Sequence, residues 1–472
     1  MSMTVAVRRP VVLADALPRT VARDGALVLA APAAAHPNMS VTFEAPRDLL
    51  DPATRDSALA ELDTLGVRSL RVVLYWKDVA PEPNGGRPQL DETDPANYDW
   101  SKYDPLIQAA NARGWPVLLT VSGPVPRWAT RSGRDFVTRP SPARFQAFMT
   151  AAGRHYGGKV TTWSIWNEPN LPRFLRPQFA NGGRPASPQL YRKLYDAGRR
   201  GLVAAGRGAD PTLFGELAPR GTGSVVAPLT FLRGMLCLDE NYKKRGKGCG
   251  KLDTTGMAHH AYTTREGPWF VPSGPIDVTI GVLGRRTKAL DRAANAGAVP
   301  RGLPIWLTEF GIQSYPDDIQ GVPLARQPEY QAISERIARS NERVASFSQY
   351  LLRDDPATGP DEFGGFESGL RLADGKAKPS LDGWRLPLSV RREGSKVSIW
   401  GRVRPATAPA TAELQIQQGS GEWRTLQNVT TDARGSFTLR GSYRSGRRWR
   451  LRWTAPDGTV RTGSPIRAYA RG

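Results

Sequence analysis

Residues 161–170 read TTWSIWNEPN, and residues 304–311 read PIWLTEFG. In each stretch a short apolar, β-prone run stops at a glutamate, Glu168 and Glu309. A carboxylate in that position would lose free energy on burial unless it were paired or hydrogen-bonded. An apolar strand ending in a reactive side chain is the pattern of a parallel barrel, whose sites lie at the C-terminal ends of its strands.

The same pattern recurs on both sides. Strands are predicted at 40–43, 70–75, 116–121, 161–166, 213–217, 256–260, 305–308 and 345–350. Helical stretches are predicted between them, at 54–65, 103–113, 142–156, 189–205, 287–296 and 327–340. Eight strand–helix units over 39–386 predict an α/β fold, a (β/α)₈ TIM barrel. Polar, reactive residues gather where the apolar runs stop. They include Arg71 and Trp76 on the second unit, Asn167 and Glu168 on the fourth, His259, His260 and Tyr262 on the sixth, and Glu309 on the seventh. Two carboxylates converging across a barrel mouth suit glycoside hydrolysis. One protonates the leaving oxygen, and the other attacks the anomeric carbon or activates water. Strand alternation turns His259 away from His260, so His259 is expected to pack rather than react.

WNEPN at 166–170 and LTEFG at 307–311 resemble the two signatures of the clan A glycoside hydrolases. The resemblance implies that Glu168 is the acid/base and Glu309 the nucleophile of a retaining reaction through a covalent glycosyl-enzyme. It implies that Arg71 keeps Glu309 ionised, that Asn167 binds the sugar 2-hydroxyl, and that Tyr262 donates to Glu309 with His260 close by. WNEPNLPRF followed by YRKLYDAG (191–198) is most similar to bacterial family 39 and related cellulase-like enzymes. Many clan members floor the sugar subsite with a Trp at the end of the eighth strand. Here that strand reads ASFSQYLLRDD, with no Trp. Trp76, Trp128 and Trp269 are the candidates to replace it, with Phe174, Phe270 and Tyr315 behind them. The alternative is a catalytically silent carbohydrate- or cell-surface-binding barrel. The resemblance implies no cofactor, because two carboxylates suffice for this reaction, and no metal ligands are assigned.

Beyond the barrel, 387–472 changes character. Alternating segments at 397–403, 412–417, 436–439 and 448–453, separated by Gly and Asp-Gly turns, predict a small all-β sandwich, Ig-like or carbohydrate-binding. Its Trp400, Trp423, Trp449 and Trp453 are expected to be mostly buried. Residues 1–38 read as a disordered or export-related segment, with an interrupted apolar stretch, ALVLAAPAAA, at 26–35. Cys237 and Cys249, the only cysteines, close a short loop and are a candidate disulfide for an oxidising compartment.

Among 472 residues, 65 Lys and Arg against 44 Asp and Glu leave a net charge of +21. The basic residues form no zinc-finger, basic-helix or RRM pattern, so no specific nucleic acid is expected as a partner. No run of about 18 apolar residues exists to span a membrane. The expectation is a secreted or cell-wall-associated bacterial protein, a monomer, acting on a poly- or oligosaccharide and drawn to anionic cell-wall or exopolysaccharide surfaces.

Overall fold

The computed structural model describes residues 27–29, 39–247, 249–356, 365–406 and 408–470. Eight parallel strands close into a barrel. They are β1 (Ser40–Glu44), β2 (Leu70–Tyr75), β3 (Val117–Ser122), β4 (Thr162–Ile165), β5 (Thr212–Leu217), β6 (Gly256–His260), β7 (Ile305–Glu309) and β8 (Val344–Tyr350). The barrel closes where Ser40 to Glu44 pair with Ser346 to Tyr350. Around it run α1 (Pro46–Leu50), α2 (Arg55–Thr64), α3 (Trp76–Val79), α4 (Asp104–Ala112), α5 (Pro142–Tyr156), α6 (Ser187–Ala204), α7 (Pro228–Met235), α8 (Gly284–Asn295) and α9 (Gln327–Arg339). Proline at the first turn starts α5, α6 and α9, where its missing N–H costs nothing.

The predicted (β/α)₈ barrel is therefore present, its strands within a residue or two of the expected positions. Sequence periodicity missed the short helices α7 (Pro228–Met235) and α10 (Pro379–Arg385). Each is under three turns long, too short to print a period.

After the barrel come two antiparallel sheets. One contains β9 (Leu388–Glu393), β10 (Lys396–Arg402) and β13 (Ser436–Ser442). The other contains β11 (Thr411–Gln418), β12 (Arg424–Thr430), β14 (Arg447–Thr454), β15 (Val460–Thr462) and β16 (Ile466–Arg467). Val390, Ile399 and Leu439 of the first sheet share an apolar core with Leu414, Trp449 and Leu451 of the second. Trp400, Trp449 and Trp453 are buried, as expected, whereas Trp423 is half-buried beneath Arg450. Within the segment assigned to 1–38, Val28–Leu29 pairs with β13 and so extends the first sheet. The rest of that segment lies outside the described residues.

The two units meet through buried polar groups. Glu335 on α9 receives Arg404 at 2.6 Å and Arg402 at 3.3 Å. Arg404 also donates to the Trp384 carbonyl at 2.8 Å and lies over its ring. Cys237 and Cys249 form the expected disulfide. No helix among the described residues is long and apolar enough to cross a membrane.

Candidate active site

Arg71, fully buried on β2, organises the barrel mouth. One terminal nitrogen donates to Glu44 and to Glu309 Oε2, the latter at 3.0 Å. The other donates to Asn167 Oδ1 at 2.7 Å and Glu216 Oε2 at 2.5 Å. The planar guanidinium fork thus fixes side chains from β1, β5, β7 and the β4 exit at once, which a point-charge ammonium could not do.

Backbone irregularities aim these side chains. Trp166, Glu168 and Glu216 have φ of +74°, +38° and +48°, a left-handed region that costs non-glycine residues on the order of 1–3 kcal/mol each. The β5–β6 register shifts between Gly215 and Leu217, so Glu216 is an extra residue swung into the barrel. Gly215 makes that possible: its φ is +111°, and a Cβ there would sit 2.5 Å from the Ala258 carbonyl oxygen. A second shift, between Ala258 and His260, sets Glu309 beside His260. At the β4 exit, the Glu168 N–H donates to the Glu216 carbonyl at 3.1 Å, and the Asn167 N–H donates to Ser122 Oγ at 2.9 Å.

Glu309 Oε1 accepts from the Tyr262 hydroxyl at 2.6 Å while Oε2 faces Arg71. Burial by itself would raise this carboxyl. The charges of His260 and Arg71, with the hydrogen bonds from Tyr262 and Arg71, outweigh it and hold Glu309 below the usual carboxylate range. Glu168 sits differently. Its Oε1 lies 2.9 Å from His260 Nδ1, and burial holds its carboxyl above the ordinary value despite the imidazole. His260 Nδ1 also lies 3.6 Å from Glu309 Oε2. The carboxylates of β4 and β7 therefore flank one ring nitrogen, one inclined to hold a proton and the other to lose it. That split is the arrangement acid/base chemistry requires.

Two carboxylates of the cluster were not singled out from sequence. Glu216 is fully buried, between Arg71 and the Thr120 hydroxyl at 2.8 Å. Glu44 closes β1 beside Arg71, and burial pushes it up to about 8, partly offset by the Arg71 charge. Both stand at or near the end of an apolar strand, SVTFE and TLFGEL. The rule that finds Glu168 and Glu309 applies to Glu44, whereas Glu216, inside its strand, is turned inward only by the bulge at Gly215.

The three tryptophans are not in this cluster. Trp76 is fully buried, stacked on Phe148 at 4.9 Å and edge-on to Trp128 at 5.7 Å. Trp128 is 8% exposed, and its Nε1 donates to the Pro81 carbonyl. Both belong to the core between barrel and helices, because three aromatics of α5 and its neighbours need apolar partners there. Trp269 packs against Tyr330 and Tyr469 and lines a cavity of about 650 Å³ with Arg336 and Arg391, between the outer helices and the C-terminal sheets. The aromatics beside the carboxylates include Tyr75 at the β2 end, Tyr350 at the β8 end and Tyr262, with Phe366 packed 5.0 Å from Tyr350 and 5.8 Å from Tyr262. His259 faces outward, bonded to the Val278 carbonyl at 2.7 Å and to Arg286 at 3.2 Å, and burial holds its pKa well below the usual value.

No family model matches the chain, and no curated protein matches it. Solved structures do. A glucosidase from Croceicoccus marinus is similar with a TM-score of 0.53 at 11% identity, over 89% of this chain and 96% of that one. A GH39 enzyme from Xanthomonas axonopodis pv. citri is similar with a TM-score of 0.50 at 18% identity, over 91% and 98%. A GH39 β-xylosidase from Caulobacter crescentus is similar with a TM-score of 0.50 at 17% identity, over 88% and 98%. In fold, this chain is similar to GH39 glycoside hydrolases, members of the clan whose two signatures its WNEPN and LTEFG stretches resemble.

Proposed function

We propose that the chain is a retaining glycoside hydrolase that cleaves O-glycosidic bonds of a poly- or oligosaccharide by double displacement. One observation carries the reading: a single His260 nitrogen lies 2.9 Å from Glu168 and 3.6 Å from Glu309. Laid end to end, those distances only reach the lower limit, about 6.5 Å, of the carboxyl spacing that inverting enzymes use to admit a water. An oxygen-to-oxygen separation that cannot exceed that limit supports direct attack over an intervening water.

In the first step Glu309 Oε2 attacks the anomeric carbon while Glu168 gives its proton to the departing oxygen. Glu309 thereby loses its charge. The pKa of Glu168 falls, and Glu168 takes a proton from the water that releases the sugar. Asn167 is oriented for its part. Its amide oxygen is held by Arg71, which leaves the amide NH₂ as a donor to a sugar hydroxyl. The Cys237–Cys249 bridge supports a place of action outside the reducing cytoplasm, secreted or at the cell wall.

The test is hydrolysis of a glycoside and polysaccharide panel by the wild type, Glu168→Gln and Glu309→Gln, with product anomers followed by NMR. Activity lost in both variants, with the initial anomer retaining its configuration, supports the reading. Equal activity in all three proteins, or an inverted first product, removes it.

A further inference from the structure

The loops at the mouth of the barrel are electrically lopsided. The connections after β3, β4 and β5 span 123–141, 166–186 and 218–227. They carry Arg127, Arg131, Arg134, Arg139, Arg173, Arg176, Arg184 and Arg220. Besides Glu168 itself, their only acidic side chain is Asp135. Its Oδ1 is occupied by the N–H groups of Val137 and Thr138, at 3.0 and 2.8 Å. All of these arginines are exposed except Arg127, which is half-buried. Among the described residues none of them is ion-paired. The connections after β6 and β7, which flank Glu309, reverse the balance: Arg265 and Arg326 against Glu266, Asp277, Asp317 and Asp318.

The basic loops are tied into one surface. The Arg139 N–H donates to the Arg176 carbonyl, and the Arg176 N–H to the Val137 carbonyl, each at 2.9 Å. Rings hold several of the cations in place: Lys77 and Arg127 lie over Phe136, Arg173 over Phe174 and Arg220 over Phe270. Phe174 in turn stacks on Tyr75 at the β2 end, and its carbonyl accepts from Trp166 beside Glu168. Cations held on aromatic faces around a low-dielectric cleft focus their field on whatever enters it.

We propose that the cleft takes a carboxylate-bearing polysaccharide, whose acidic sugars on the leaving-group side are held by the arginine-rich loops after β3, β4 and β5. The side follows from the chemistry. Glu168, the proton donor, sits at the root of the β4 loop, so the half of the chain expelled with the leaving oxygen lies against these arginines. Guanidinium groups match carboxylates in planar geometry as well as charge. This assignment rests on the glycosidase reading.

The experiment uses full-length Glu309→Gln protein, so that polymer is bound and not consumed. The probes are polygalacturonate, alginate, carboxyl-reduced polygalacturonate, dextran sulfate and duplex DNA, at low and high salt. The expected result is binding to the two uronate polymers about tenfold or more above the reduced polymer, weakened by salt. That preference should vanish when Arg131, Arg173 and Arg220 are changed to Ser, with thermal unfolding unchanged; the single Arg220→Glu is the second probe. Equal binding of reduced and acidic polymer overturns the inference. So does tighter binding of dextran sulfate or DNA than of either uronate polymer. Wild-type hydrolysis confined to neutral glycans overturns it while leaving the glycosidase reading in place. Arginine-dependent uronate binding with no hydrolysis of any glycan keeps the recognition and removes the catalysis.

Discussion

His260, fully buried at the top of β6, places its Nδ1 2.9 Å from Oε1 of the partly exposed Glu168. Burial disfavours the imidazolium, yet the Glu309 charge and the Glu168 hydrogen bond outweigh it and hold His260 above its ordinary pKa. Glu168 is raised as well. Both shifts favour a proton held between His260 and Glu168, where the proposed reaction would draw on it.

The cation at His260 lowers both Glu168 and Glu309. Its removal should move both limbs of the activity profile the same way. As the proposed nucleophile, Glu309 must be ionised, so activity should fall as pH drops through its pKa. As the proposed acid, Glu168 must be protonated, so activity should fall as pH rises through its pKa. In His260→Gln both pKa values rise, and the bell in kcat/KM should shift as a whole to higher pH, with the maximum reduced by about 10²-fold or more. A bell that only shrinks in place would show that His260 sets geometry rather than acidity.

Glu44 makes a stability prediction. Its folded pKa, about 8, is above its unfolded value of about 4.5. The native state therefore holds a proton that the unfolded chain releases between those values. That linkage favours folding at low pH and is lost progressively as pH rises from about 4.5 to about 8. Glu44→Gln removes the titration. The melting temperature of the variant minus that of the wild type should climb across this window and flatten above it. A constant difference would contradict the protonated state.

Arg71 faces Glu44, Glu216 and Glu309 with no exposed surface of its own. Arg71→Met would leave the ionised Glu309 without its guanidinium partner and the buried oxygens of Glu216 and Glu44 without a donor. The expected loss is about 3–5 kcal/mol in denaturant unfolding at neutral pH, the scale for breaking a buried ion pair. The loss should shrink in acid, where Glu309 takes up a proton. Arg71→Lys should keep much of the stability but lose activity, because three donors on a flexible stem cannot hold Glu309 and Asn167 in one plane.

Periodicity was a good guide wherever a residue's role followed from the strand it sits on. Glu168, Glu309, His260 and Tyr262 each end or just follow an apolar run, and the barrel brings them together. The tryptophans failed the same approach because exposure is a tertiary property. WKDV after β2 reads as a loop opening, but it forms a short helix that folds Trp76 under Phe148. Glu216 was hidden by its position inside TLFGEL, where strict alternation gives no hint of the bulge at Gly215 that turns it inward. Glu44 lies one residue beyond the predicted 40–43 strand, which in the structure runs on to include it.

The last prediction concerns the join between barrel and C-terminal sheets. Glu335 on α9 is buried and receives both Arg402 and Arg404. Burial would raise its carboxyl, but the Arg404 and Arg402 charges hold it below the usual range. Arg404 is buried too, with its pKa pushed down to about 10 by desolvation against the pull of Glu335. Glu335→Leu would free the partly exposed Arg402 to water but leave the buried Arg404 guanidinium in the interface with only the Trp384 carbonyl to accept from it. Removing one partner of such a pair costs about 3–5 kcal/mol, more than removing both. The wild type should thus unfold in one calorimetric transition, and Glu335→Leu in two, with the smaller belonging to the C-terminal sheets. Adding Arg404→Met should restore much of the coupling, since the stranded charge is then gone. If the double variant were as uncoupled as the single, the join would depend on the ion pair itself, and not on avoiding an unpaired cation.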